Sequence, residues 1–333
     1  MQRLVLAIGA LTVCATAAAQ DPSTSPRPEA GRTLEGSGQG FPTRPVRVVT
    51  AAVGGTTDLV ARVIAQGLTA SLGQQVIVDN RPTGIIPGET VVKAAPDGYT
   101  LLFHASSLWM MPLLQKVPFD PVKDLAPITL ATSTPYLVVV HPTVPAKTIK
   151  ELIALAKAKP GVLNYGSGAT GAASHLAAEQ FKYMAQVNIV RIPYKGQGAA
   201  VLALLGGEVQ MAFASAPSVA GHIKSGKLRA LAITTLKPSH LAPGLPTVAE
   251  SGLPGYESTA SAGMFAPLKT PTRLITLLNR EIVKTLNKQE VKDVLARDGT
   301  EVVGSSPQEF AAAINAEMAT MSKVIKAAGI RTE

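Results

Sequence analysis

The chain has 333 residues, a formal net charge of +9 and 46% hydrophobic residues. A chain of this length buries a large core and suits two domains better than one. Its lysines and arginines are scattered, with no basic run and no interleaved aromatics. That pattern is a solvated basic surface rather than a nucleic-acid footprint, although such a surface helps draw anions toward a cleft.

Residues 1–19 read as a secretory signal peptide. Arg3 is the only charge, LVLAIGALTV is the apolar core, and Ala17-Ala18-Ala19 offers a small-residue cleavage site. The apolar run is too short to span a bilayer, and no later segment is long and apolar enough to do so. The single cysteine, Cys14, lies inside this segment, and Val13 before it is not the small residue that lipidation wants. Residues 20–40 lack apolar periodicity and are rich in Pro, Gly and Ser, as a disordered linker would be. The folded part starts near Phe41.

From there apolar strands alternate with amphipathic helices, which predicts an α/β fold with largely parallel sheets. Val46 to Ala52 reads as a strand. Leu59, Val60, Val63, Ile64, Leu68 and Leu72 follow helical spacing, and Gly73 supplies the stop. Further strands are predicted at 76–79, 99–103, 137–140, 163–165, 189–192, 211–214 and 228–234. Helices are predicted from a capping box at Thr148-Ile149-Lys150-Glu151 and over 198–205. Thr270 is expected to cap a helix that has Pro271 at its first position. A second capping box, Ser306-Pro307-Gln308-Glu309, opens the last helix.

Two segments stand out. VTAAVGGTTDLVARVIAQ (49–66) and the stretch GSGATGAASHLAAE (166–179) each run from a strand through a small-residue loop into a helix. Free N–H groups and the positive dipole end at a helix N-terminus make an anion site. Two such loops predict a cleft gripping an anion from both sides, at the carboxyl ends of the strands. The arrangement that uses the pieces well has one lobe from 41–142 plus 261–333 and a second, inserted lobe from 143–260.

Competing chemistry is disfavoured. Gly166, Gly168 and Gly171 satisfy a G-x-G-x-x-G spacing, but Asn188 and Ile189 stand where a dinucleotide site needs an acid. Ser174 and His175 are adjacent on a helix, about 100° apart, and cannot face each other as nucleophile and base. Ser174 reads either as a hydroxyl facing ligand or as a structural cap, and His175 more as a packing residue than a contact. The five histidines are scattered without H-x-x-x-H, so no metal, cofactor or catalysis is expected. Asp58 fits two roles equally well, reaching a ligand or steadying its helix N-terminus. Tyr194 is a better pocket candidate than Lys195. Trp109, Met110 and Met111 fit a lid or a core.

Strings along the chain carry a resemblance: PTRPVRVV, GGTTD, DNRPTG, KAAPDGYTLL, VPFDPVKDLAPIT, VHPTVPAKTIKELIALAKAKPG, GSGATGAASHLAAEQF, IPYKG, LLGGEV, SGKLRALAITT, LPTVAESGLPGYE and AGMFAPLKTP. In this order, over about residues 42 to 330, the chain resembles the substrate-binding receptors of tripartite tricarboxylate transporters, the Bug receptors. The resemblance implies a periplasmic two-lobed binding-protein fold (type II, Venus-flytrap), each lobe a mainly parallel sheet flanked by helices. It implies a monomer that closes on a small carboxylate for membrane permease subunits. Carried over by position, the pocket comprises Val53, Gly54, Gly55, Thr56, Thr57 and Asp58, with Ser167, Gly168, Thr170, Gly171, Ser174 and His175 opposite. His104, Ser106 and Ser107 and the strand end Ala214-Ser215 complete it.

Three departures from the family pattern bear on the ligand. Thr50-Ala51 replaces a common Pro-Phe. HASSLW brings Trp109 toward the mouth. Ala214 stands where many members carry Asp, which favours a plain, dicarboxylic or aromatic carboxylate over an amino acid. A sensor presenting the same closed form to a membrane kinase is the alternative, and a secreted hydrolase a weaker one.

Overall fold

The computed structural model of the chain describes residues 40–81 and 84–331. The expected signal peptide and nearly all of the linker lie outside the described residues. Among those residues, no helix is long and apolar enough to cross a membrane.

Strand β1 (Val46–Thr50) leads into helix α1 (Thr56–Leu72), then β2 (Val76–Asn80), α2 (Ile86–Val92), β3 (Thr100–Ala105) and α3 (Ser107–Leu114). Next come the long β4 (Leu125–Val140), α4 (Ile149–Ala158), β5 (Asn164–Ser167), α5 (Ala173–Ala185), β6 (Val190–Pro193) and α6 (Gln197–Leu205). The remainder is β7 (Met211–Ser215), α7 (Ala216–Lys224), β8 (Arg229–Ile233), β9 (Thr259–Pro267), α8 (Thr272–Leu286), α9 (Gln289–Arg297), β10 (Glu301–Val302) and α10 (Pro307–Ala328).

The sheet order is β2-β1-β3-β9-β4-β7-β5-β6, with β8 and β10 also paired to β4. The fold is α/β as predicted, but the sheets are mixed rather than mainly parallel. β2-β1-β3 and β6-β5-β7 are parallel sets, whereas β4 and β9 run antiparallel to their neighbours at the centre.

β4 organises the molecule. Its 16 residues pair with β9 from Leu125 to Pro135 and with β7 and β8 from Tyr136 to Val140. Past that point its side chains alternate between two cores. Tyr136, Val138 and Val140 join one around Phe181, Phe213 and Tyr256, while Leu137 and Val139 join the other around Val201, Leu204 and Val219. This is the period-2 rule of a strand covered on both faces. The first half of the sheet is sandwiched in the same way. Val46 and Val48 face α1 and α8 residues such as Ile64 and Leu278, and Val49 and Leu102 face Trp109 and Phe310.

Only the end of β4 was predicted, because Pro127 and Pro135 break a strand pattern. The pairing register shifts between Pro127 and Thr129, so the first proline sits at an irregularity that dispenses with its missing N–H. β9 (TASAGMFAP) has too few branched or aromatic residues to announce itself. It is a strand because β3 and β4 pair with it on either side.

The capping signals divide. Thr148 accepts from the Glu151 amide, and Ser306 and Glu309 form a reciprocal box opening α10. Thr270 does not cap α8. Pro271 occupies the N-cap with no side-chain bond, and the buried Thr270 hydroxyl has no partner.

Candidate functional site

The first loop is shaped from within by Asp58. Its carboxylate accepts from the Gly54 N–H at 3.1 Å and from Asn80 Nδ2 at 2.8 Å, and pairs with Arg62 Nε at 3.0 Å. Burial opposes its ionisation, but the hydrogen bonds from Asn80, Arg62 and Gly54 outweigh that and hold its carboxyl below the usual range. Gly54 has φ +92°, a conformation that only glycine adopts readily. Asp58 therefore steadies the loop, and the Gly54 amide is committed to it. The first-turn amides of α1, from Thr56, Thr57 and Asp58, have no partner within the helix, whose first bond runs from the Leu59 N–H to the Gly55 carbonyl. Val53 is 70% exposed at the loop tip.

The second loop, between β5 and α5, is held on two sides. The Gly171 N–H donates to His175 Nδ1 at 3.1 Å, and Gly171 has φ +79°. A side chain there would also bring Cβ within 2.8 Å of Leu114. Burial and then the neighbouring Arg191 charge push His175 down to about 4, so its ring stays neutral and Nδ1 keeps its lone pair for Gly171. His175 is thus a packing residue that fixes the loop. Ser174 is buried and is not the cap, which falls on Ala172 without a side-chain bond.

These loops border two hollows that share Ala260 of β9. The first, of about 470 Å³, is lined by Thr56, Tyr136, Gln197, Ser215, Ser218 and Asp298, among others. First-turn residues of α1 and α6 and the start of α7 line it, so three helix N-termini border one space. The Thr56 hydroxyl donates to Asp298 at 2.7 Å, which leaves anion reception to the amides. Burial pushes the Tyr136 phenol up to about 12, so it remains a neutral O–H.

The second hollow, of about 270 Å³, is bounded by Ser106 and Ser107 at the start of α3 and by Gly171, Ala172 and Ala173 at the start of α5. Met110, Leu176 and Met321 make most of its wall apolar, and Glu317 of α10 adds one carboxyl. That carboxyl accepts from Trp109 Nε1 at 2.8 Å, and burial pushes it up to about 7 against the pull of this bond.

The structure brings Thr56, Ser106, Ser107, Gly171 and Ser215 to these walls. It places others elsewhere. The methyl of Ala214 is fully buried among Leu137, Val139 and Val219, so no ligand charge is read by that side chain. His104 is buried on β3, with Nδ1 at 3.1 Å from the Ala105 carbonyl oxygen and Nε2 unpartnered. Burial pushes its ring down. Tyr194 is half-buried, its hydroxyl donating to Glu208 at 3.4 Å. Trp109 is not at the mouth. It is 1% exposed and stacks edge-on against Phe310, because the run SLWMMPLL is apolar on all sides and sinks into the core.

Tyr136, Gln197, Asp298, Glu317 and Arg191 are wall or loop residues that motif reading missed. Only Arg191 left a trace, as a lone charge between Val190 and Ile192 in an otherwise apolar strand.

The topology and the helix-ringed hollows define a periplasmic-binding-protein fold. The chain belongs to the tripartite tricarboxylate transporter receptor family, whose model matches residues 60–330. It is 36% identical to protein BugT of Bordetella pertussis over 297 residues, 87% of this chain and 91% of that one. Among solved structures, R. palustris Rpa4515 with adipate is 35% identical with a TM-score of 0.71, over 87% of this chain and 99% of that one. MatC from Rhodopseudomonas palustris with bound malate is 28% identical with a TM-score of 0.67, over 86% and 100% of the two chains.

Proposed function

We propose that this chain is a periplasmic, non-catalytic solute receptor. It captures a small organic carboxylate and presents it to the membrane permease subunits of a tripartite transporter. The observation that carries this reading is that the α1, α6 and α7 N-termini all border the first hollow. Free amides and dipole ends at helix N-termini stabilise a carboxylate without a cation. The adipate and malate bound by Rpa4515 and MatC support a dicarboxylate, its second end reaching the hollow between the α3 and α5 N-termini.

The lobe division proposed is 41–142 plus 261–333 against 143–260. The partner change of β4 at 135/136 supports a crossing, seven residues before the 142/143 boundary, because Tyr136–Val140 already pair with β7 and β8. Micromolar affinity needs about 8 kcal/mol of net binding free energy. A few charge-assisted hydrogen bonds in a desolvated cleft are of that order.

The test is a thermal-shift screen of the protein against mono-, di- and tricarboxylates, aromatic acids and amino acids. A dicarboxylate at 100 times its Kd is expected to stabilise the fold by about 2.7 kcal/mol. Stabilisation by amino acids alone would overturn the ligand class. The Gly55→Asp variant is expected to lose that response while keeping its unliganded melting temperature. Gly55 has an ordinary φ of −98° and open space where Cβ would sit, so the effect is charge at the anion site, not strain. An unchanged response would remove the Gly54–Asp58 loop from the site.

A further inference from the structure

Behind the second loop lies a guanidinium that the anion-gripping reading does not use. Arg191 sits on β6, next to β5, and reaches three consecutive parts of that loop. Its Nε donates to Ser167 Oγ at 2.8 Å, Nη2 to the Gly168 carbonyl at 2.8 Å and Nη1 to Thr170 Oγ1 at 3.1 Å. Ser167 is 1% exposed, so this is a built contact rather than a surface accident. Arg191 itself lines a separate hollow with His175, Lys182 and Ala328, outside the two described above.

We propose that Arg191 is the positioning residue of the carboxylate loop, acting on the ligand only through the backbone and hydroxyls it holds. This deepens the receptor reading and rests on it. A trans peptide points its C=O and N–H in opposite directions. With the Gly168 carbonyl held by Nη2, the Ala169 N–H is turned away from Arg191 and cannot flip without breaking that bond. Gly168 itself lies against the start of α6, where an added Cβ would be 3.8 Å from the Gln197 nitrogen. Ser167 Oγ accepts from Nε and donates its own proton to the Gly168 carbonyl oxygen at 3.3 Å, so guanidinium and hydroxyl hold the same carbonyl. Thr170 Oγ1, an acceptor toward Nη1, keeps its proton to donate.

Three donors in a rigid planar fork do this with one side chain. A lysine ammonium carries the same charge but lacks the fork. Arg191 and His175 thus divide the work. One fixes residues 167–170 and the other fixes Gly171.

The test compares wild type with Arg191→Lys and Arg191→Gln in two readouts. The first is hydrogen exchange of the unliganded protein, which needs no ligand. The amides of Gly171 and Ala172, bonded to His175 Nδ1 and to the Ala169 carbonyl, are expected to exchange at least tenfold faster in both variants, with the β5 and β7 strands unchanged. The second is calorimetric affinity, well below the melting temperature, for adipate, malate or whichever carboxylate the thermal screen selects. Both variants are expected to lose at least tenfold, and lysine is expected not to rescue.

Unchanged loop exchange overturns the proposal. So does faster exchange with unchanged affinity, and so does full recovery by Arg191→Lys, which would reduce the role to charge. If wild type takes up no carboxylate at all, the receptor reading fails instead. The exchange experiment then still decides whether Arg191 holds the loop.

Discussion

At the scale of single residues, the two loops are shaped by side chains that hold their backbone from behind. Asp58, His175 and Arg191 each hold loop backbone, at Gly54, Gly171 and Gly168 respectively. A loop whose amides are fixed beforehand loses less entropy on binding than one ordered by the ligand. Glu317 couples its ionisation to stability. Its pKa in the fold, about 7, lies above the ordinary 4.5. The folded protein therefore keeps a proton that the unfolded chain gives up between those values. The stability this contributes is full below pH 4.5 and is lost as pH rises through 7. Glu317→Gln keeps an acceptor for Trp109 and removes the ionisation. It is expected to match wild type at pH 5 and to exceed it by about 1–3 kcal/mol at pH 8. Thermal unfolding at the two pH values checks this, and equal stability at pH 8 would mean that Glu317 titrates normally.

At the scale of elements, β9 carries the most demanding fit. Gly263 lies between β3 and β4, where an added Cβ would press on the Phe310 ring and come within 2.8 Å of the Thr129 carbonyl oxygen. No side chain fits unless α10 moves, and α10 is anchored there by Ser305, which bonds Thr129 and Leu130 of β4, and by the buried Phe310. Gly263→Ala is expected to destabilise the protein by about 1–3 kcal/mol, as overpacking does in dense cores. Denaturant unfolding measures it, and a neutral result would show that α10 sits loosely. The same crowding explains why β9 was invisible in the sequence. Its small residues are chosen by the neighbours that press on them, and they carry no β signal of their own. α1 is the opposite case: its apolar spacing and the Gly73 stop made it legible from Leu59 to its end.

At the scale of the whole molecule, β4 carries the chain from one set of cores to the other within a single strand. If the ligand closes two lobes about that crossing, saturating carboxylate is expected to reduce the radius of gyration measured by small-angle scattering. An unchanged radius alongside tight binding would place the site within one lobe. The net charge of +9 acts at this scale too, by drawing anions from solution without selecting among them.

What the sequence determined by itself was local. The α/β alternation, the two loop–helix elements and the caps at Thr148 and Ser306 follow from nearest-neighbour chemistry: hydrophobic period, glycine where φ is positive, hydroxyls before helices. The family strings supplied the receptor reading. Only the tertiary structure decided which candidates meet. It turned the methyl of Ala214 and the ring of Trp109 into cores, brought Tyr136, Gln197 and Asp298 to the wall beside Thr56, and set Arg191 behind Gly168. Those choices depend on strand register and on which face of each element is covered. Both are fixed by packing between segments more than 100 residues apart, such as Thr56 and Asp298, 242 positions away. No local pattern records that pairing, because each partner's chemistry is ordinary until the fold places the other beside it.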